Sequence, residues 1–135
     1  MTRTVCVNGD YLPEGEAKVS VFDRGFLMAD AVYEVTSVLD GRLIDFDGHM
    51  RRLERSLAEL GMTCPMSATE LLTMHRELVR LNRIDQGMIY LQVTRGNPGT
   101  GRSCFRMLRC RGRWWPSRRT FRTSRMPRRR RPGSR

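Results

Sequence analysis

The sequence predicts an α+β domain over residues 1–100: a small, mainly antiparallel sheet with two helices, followed by a disordered basic tail over 101–135. Three observations carry this. Asn8-Gly9 and Asp40-Gly41 are two-residue hairpin turns, because both positions of each pair tolerate positive φ. Met50, Leu53, Leu57 and Leu60 recur at spacings of three and four, and a second amphipathic run follows from Leu71 to Leu81. Met88 to Thr94 then reads as a strand.

Taken in order, Thr4 to Val7 is a short strand that returns through Tyr11-Leu12 after the Asn8-Gly9 turn and ends at Pro13. Glu14 to Lys18 is a polar loop. The stretch Val19 to Val38 organises the rest. It opens with Val19-Ser20-Val21 alternation, breaks at Asp23-Arg24-Gly25 and passes an apolar link, Phe26-Leu27-Met28. It ends in Val32 to Val38, β-branched and aromatic enough to be a strand.

Strand alternation puts Ala31, Tyr33, Val35 and Ser37 on one face and Val32, Glu34, Thr36 and Val38 on the other. Neither face is cleanly apolar, and on pattern alone Glu34 reads as a carboxylate in water. Arg42-Leu43-Ile44 is the return strand of the second hairpin.

Asp45 or Asp47 can cap a helix beginning near Gly48, and Gly61 suits its C-terminal end. Ser67 and Glu70 form a capping box for the second helix, which ends near Asn82. Asp85-Gln86-Gly87 is a turn, and Gly96 to Gly99 is a loop.

Charge is divided unevenly. Residues 1–100 hold ten Arg, one Lys and fourteen acidic groups, whereas residues 101–135 hold fourteen Arg and no acid. The net charge of +11 is therefore a property of the tail. From Ser103 the chain has neither turn-bounded alternation nor a helical face, and like charge this dense repels itself. Arg, Pro, Gly, Ser and Trp without an acid is also the residue mix of G/C-rich coding DNA read out of frame.

Cys6, Cys64, Cys104 and Cys110 contain no Cys-x-x-Cys pair, which argues against a disulfide framework or a zinc site. No apolar run approaches the roughly eighteen residues of a membrane span, and the N-terminus lacks a signal-peptide core. A soluble, cytoplasmic protein that binds no metal is expected.

Asp23-Arg24-Gly25-Phe26 followed by Asp30-Ala31-Val32-Tyr33-Glu34-Val35 resembles the N-terminal signature of the class IV aminotransferases. These are pyridoxal-phosphate enzymes of the D-amino-acid and branched-chain type. The resemblance runs from about Val5 to Arg95, including Tyr90 to Gly96, and lies closest to the D-amino-acid branch. Ala31 departs from it, standing where the family usually has Gly. The order of predicted elements agrees with the family's smaller N-terminal domain.

The resemblance implies two site residues. Arg52, in His49-Met50-Arg51-Arg52-Leu53, falls where the family binds the cofactor phosphate, a role that suits a bidentate, always-charged guanidinium. From spacing alone it would read as a solvated helix arginine. Tyr33 falls where the D-amino-acid enzymes line the substrate pocket; from pattern alone it would read as a core tyrosine. Arg95 reads as a strand-end structural residue. No His follows Arg102, so it is not assigned the family's carboxylate-binding role.

The family holds pyridoxal phosphate as a Schiff base on a lysine, and Lys18 is the one lysine in these 135 residues. Its position matches no such site, and arginine is not a usable amine nucleophile. The implied parent activity is amino transfer from an amino acid of the D-alanine type to a 2-oxo acid, by a homodimer, with the chain itself catalytically incomplete. The alternative is that the arginines of the tail, with Trp114, Trp115 and Phe121 among them, bind nucleic acid or an acidic surface.

Overall fold

The computed structural model describes residues 2–97 and 99, together with the backbone of 102–110. Its elements are β1 (Thr4–Val7), β2 (Asp10–Pro13), α1 (Arg24–Met28), β3 (Ala31–Leu39), β4 (Arg42–Leu43), α2 (Phe46–Glu59), α3 (Ala68–Leu81), β5 (Gly87–Asn97) and β6 (Arg102–Cys110). The strands form one sheet in the order β2-β1-β6-β5-β3-β4, and each neighbouring pair is antiparallel. The expected α+β class is the one observed.

Both predicted hairpins are present, with positive φ at Asn8, Gly9, Asp40 and Gly41. The capping box on α3 is also present: Ser67 N donates to Glu70 Oε2 at 2.8 Å, and Glu70 N donates to Ser67 Oγ at 3.3 Å. α2 starts at Phe46, two residues ahead of the expected Gly48. Asp45 takes the N-cap position in the left-handed region, φ 48°, without a side-chain cap hydrogen bond, and Asp47 lies inside the first turn. Burying Phe46 under the helix start accounts for the extension, since its ring packs edge-on against His75.

β3 and β5 form the longest described register from which both faces can be read. Val32 opposes Val93, Glu34 opposes Leu91 and Thr36 opposes Ile89 on the face toward the helices. Tyr33 opposes Gln92 and Val35 opposes Tyr90 on the other face. The helix-side face joins Met50, Leu53 and Leu57 of α2 and Leu71, Met74 and Leu78 of α3 in one buried cluster with Ile89, Leu91 and Val93. Each fully buried side chain of this size contributes about 1.5–3 kcal/mol.

Two expectations are corrected. Val19 to Val21 pair with no strand among the described residues and are exposed. The break after Phe22 is the five-residue helix α1: Asp23 Oδ1 accepts from Gly25 N at 2.8 Å, and Ala29 closes the helix at φ 55°. A further strand, β6, follows residue 100. Arg102–Cys110 pairs with β5 and β1 and so lies inside the sheet, where neighbours on both sides supply hydrogen bonds that local pattern does not announce. The rest of the expected disordered tail, 111–135, lies outside the described residues.

Gly25 is required by space. A Cβ there would overlap Thr94 Cγ2 and lie 2.8 Å from Thr94 Cβ. Thr94 cannot swing away without breaking its hydrogen bond to Asp23 Oδ2, 3.0 Å. Gly25→Ala is expected to cost about 1–3 kcal/mol of unfolding free energy in urea denaturation. An unchanged midpoint would show that Thr94 repacks freely.

His75 is fully buried, donates Nδ1–H to Leu71 O at 2.7 Å, and keeps Nε2 without a hydrogen-bond partner among the described residues. Burial pushes its pKa down to about 4. A His whose folded pKa is depressed stabilises fully above the unfolded value, about 6.5, and loses that contribution as pH falls toward the folded value. Between about pH 7 and about pH 5 the native chain should therefore lose about 2 kcal/mol that His75→Leu does not lose. Parallel denaturation of both at the two pH values checks it, and equal losses would count against a neutral buried His75.

Candidate functional site

Successive residues of β3 build the site from two sides of the sheet. Tyr33 projects from the face away from the helices, is 60% exposed, and stacks on Tyr90 with centroids 5.5 Å apart and planes 13° from parallel. Tyr33 is therefore not part of the core that the described residues form. Tyr90 was not singled out from the sequence. The signal was available: two residues of alternation from Gln92 put it on the Tyr33 face, diagonal to Tyr33 in the register.

Glu34 turns the other way and is 1% exposed, which corrects the reading of a carboxylate in water. Arg52 Nε donates to its Oε1 at 2.6 Å and Arg52 Nη2 to its Oε2 at 2.7 Å. His49 Nδ1 reaches the same Oε2 at 2.8 Å. The three donors explain how a carboxylate can sit there, since an unpaired buried charge is far costlier. Burial alone would push the Glu34 carboxyl up. The hydrogen bonds from Arg52 and His49, and then their charge, reverse this and hold it below the usual carboxylate range.

Helical geometry brings Arg52 to this point. His49 and Arg52 are three residues apart on α2, on one flank of the face whose Leu53 and Leu57 enter the core. Arg52 is 54% exposed. Its pKa is raised, first by the hydrogen bond to Glu34 and then by that carboxylate's charge. Glu34 uses two of the five guanidinium N–H donors, leaving three for another acceptor.

A second cluster fixes the segment before β3. Asp30 Oδ2 accepts from Arg24 Nε and Arg95 Nε, each at 2.8 Å. Arg95 Nη2 also donates to Leu60 O at 2.7 Å, tying β5 to the end of α2. Hydrogen bonding by Arg95 is the main cause holding the Asp30 carboxyl low. Arg95 is thus the structural residue expected of it. Lys18 is exposed in its loop, and Arg102 opens β6.

A cavity of about 750 Å³ opens elsewhere, at Arg42, Phe46, Arg76 and Arg80, and neither Tyr33 nor Arg52 lines it. Among the described residues no group of three or more His, Cys, Asp and Glu could hold a metal ion. No described helix is long and apolar enough to cross a membrane.

The family model described as amino-transferase class IV matches residues 31–124. The D-alanine aminotransferase of Staphylococcus aureus (strain MSSA476) is 40% identical over 92 residues, which is 68% of this chain and 33% of that protein. Among solved structures, the branched-chain amino acid aminotransferase of Escherichia coli superposes with a TM-score of 0.73 at 19% identity, over 82% of this chain and 40% of that one. A hypothetical aminotransferase from Mycobacterium tuberculosis in its PLP-bound form gives 0.69 at 19%, over 79% and 39%. The chain belongs to the class IV aminotransferases and represents the N-terminal region of that fold. It spans about a third of the length of the curated relatives it matches.

Replacing Arg52 leaves Glu34 buried with His49 as its one remaining side-chain donor among the described residues. Arg52→Ala should therefore lower the denaturation midpoint of the chain at neutral pH. Because a depressed carboxylate stabilises above its unfolded pKa and loses that as pH falls through the folded one, the deficit should shrink under acid. Denaturation curves at neutral and acid pH check both points; a deficit that grows in acid would contradict the assignment.

Proposed function

We propose that this chain forms the phosphate-side portion of a pyridoxal-phosphate transaminase site, acting on amino acids of the D-alanine type with a 2-oxo acid as acceptor. The observation that carries the reading is the half-open guanidinium of Arg52: one edge fixed by Glu34, the rest exposed, in a chain of this family. A phosphate matches those remaining donors in charge and in planar, bidentate geometry. When bound, pyridoxal phosphate supplies the electron sink that takes up and returns the amino group.

Arg52 would hold the phosphate, and Tyr33, exposed on the open face, would line the substrate side with Tyr90 stacked behind it. The D-alanine preference is supported by the 40% identity to the staphylococcal enzyme. A cytoplasmic homodimer is part of the same reading.

The donor set fits the phosphate end of the cofactor and not its aldehyde end. Lys18 is the one lysine of the 135 residues, and it is exposed in a loop remote in sequence from Arg52. The chain by itself therefore binds the cofactor weakly and transfers no amino groups. One charge-assisted contact is worth about 1.5–3 kcal/mol, well short of stable retention.

With pyridoxal phosphate, D-alanine and 2-oxoglutarate supplied, no pyruvate should accumulate above a protein-free control. Stoichiometric borohydride labelling of Lys18 accompanied by turnover would overturn the proposal. If the coding DNA is reread in the frame that continues the family pattern, the longer product should carry out the transfer. Failure of a folded longer product to do so would remove the transaminase reading.

A further inference from the structure

On the reading of Arg52 as a phosphate ligand, its guanidinium must be held ready for the anion. We propose that Glu34 is a positioning residue for that contact, its buried carboxylate setting Arg52's guanidinium as a fixed fork for a phosphate group.

Arg51, Arg52 and Arg55 are neighbours on α2, and all three are exposed. Among the described residues only Arg52 of the three has an ion pair. The pair is bidentate, with Nε to Oε1 at 2.6 Å and Nη2 to Oε2 at 2.7 Å, so it fixes the plane of the guanidinium and not just its distance. The carboxylate cannot follow a moving arginine. It is 1% exposed on β3, and His49 Nδ1 holds its Oε2 at 2.8 Å. Strand and helix together therefore fix one edge of Arg52 and leave the other donors facing out.

An anion binding to this fork orders less of the side chain than one binding to Arg51 or Arg55, and that saving favours the fixed arginine. An opposing effect exists. Glu34 is negative, and its charge weakens attraction of an anion to the same guanidinium. The carboxylate sits on the occupied edge, so the cation lies between it and an anion at the free donors. At a half-exposed side chain, water and salt screen the longer-range repulsion, whereas the geometric gain is not screened. Positioning therefore outweighs repulsion, and the two effects give Glu34→Gln opposite signs.

The test uses the full chain labelled with ¹⁵N-arginine and inorganic phosphate as the probe. In the native chain, Arg52 Nε–H should exchange with water about tenfold more slowly than that of Arg51, because it is hydrogen-bonded to a buried acceptor. Phosphate should shift the Arg52 signal saturably. Glu34→Gln should retain the fold by near-unchanged amide spectra, bring Arg52 exchange up to that of Arg51, and weaken phosphate binding about five- to tenfold.

Equal or tighter phosphate binding by Glu34→Gln would overturn the positioning role while leaving Arg52 as the phosphate ligand. No phosphate response at Arg52 in the native chain would remove both. Should Glu34→Gln fail to fold, the native chain decides: Arg52 exchanging as fast as Arg51 overturns the proposal, and protected exchange with a saturable phosphate shift upholds it.

Discussion

A carboxylate almost out of contact with water ties this domain's sheet to its first long helix. Glu34 could not occupy the helix side of β3 unless α2 delivered donors to it, and α2 delivers two side chains from one flank, His49 and Arg52. The apolar residues below, Leu53 and Leu57, set the depth at which the helix sits. The packing therefore fixes the ion pair as much as the ion pair fixes the packing. Burying a bridge of this kind adds little net stability, because desolvation offsets most of the attraction. What it adds is a definite rotation of α2 against the sheet: sliding the helix by a turn would strand the charge.

The two faces of the sheet divide the labour. Toward the helices, Val93, Leu91 and Ile89 are fully buried, and Asp23 and Thr94 at the same end are buried polar groups bonded to each other. Away from the helices, Tyr33 is exposed and Tyr90 half-buried, with none of the described helices on that side. The segment before β3 adds to the exposed apolar surface, with Val21, Phe22, Phe26 and Met28 each more than 60% exposed. This asymmetry suits a region that represents part of a larger fold, since apolar surface on this scale is usually covered by further protein.

Much of this was legible in the sequence, for identifiable reasons. Asn8-Gly9, Asp40-Gly41 and the Ser67–Glu70 box are local signals, each complete within four residues, and local signals survive without knowledge of the fold. The alternation in β3 correctly separated Tyr33 from Glu34. It could not say which face was buried, because the partners that make burial of Glu34 tolerable lie 15 and 18 residues away, on another element. α1 escaped notice because five residues are too few to show a helical period. β6 escaped because its arginines read as solvated tail, while its pairing depends on β1 and β5, which sequence pattern does not connect to it. Arg52 was singled out by resemblance alone; nothing in the spacing of Arg51, Arg52 and Arg55 distinguishes it.

The position of β6 between β1 and β5 bears on the order in which the chain assembles as it is made. Cys6 and Val7 emerge first, yet their sheet neighbours are Met107 and Arg106. At about 5–20 residues per second, the N-terminal hairpin must wait at least several seconds for that partner. An isolated hairpin is marginal in water, so any contact made before that partner arrives would stabilise it. Asn82, at the end of α3, supplies such a contact: its Oδ1 accepts from Thr4 N and its Nδ2 donates to Thr4 O, both at 2.9 Å. A single amide can thus tether the first strand to the helical layer before the strand that will flank it has been synthesised.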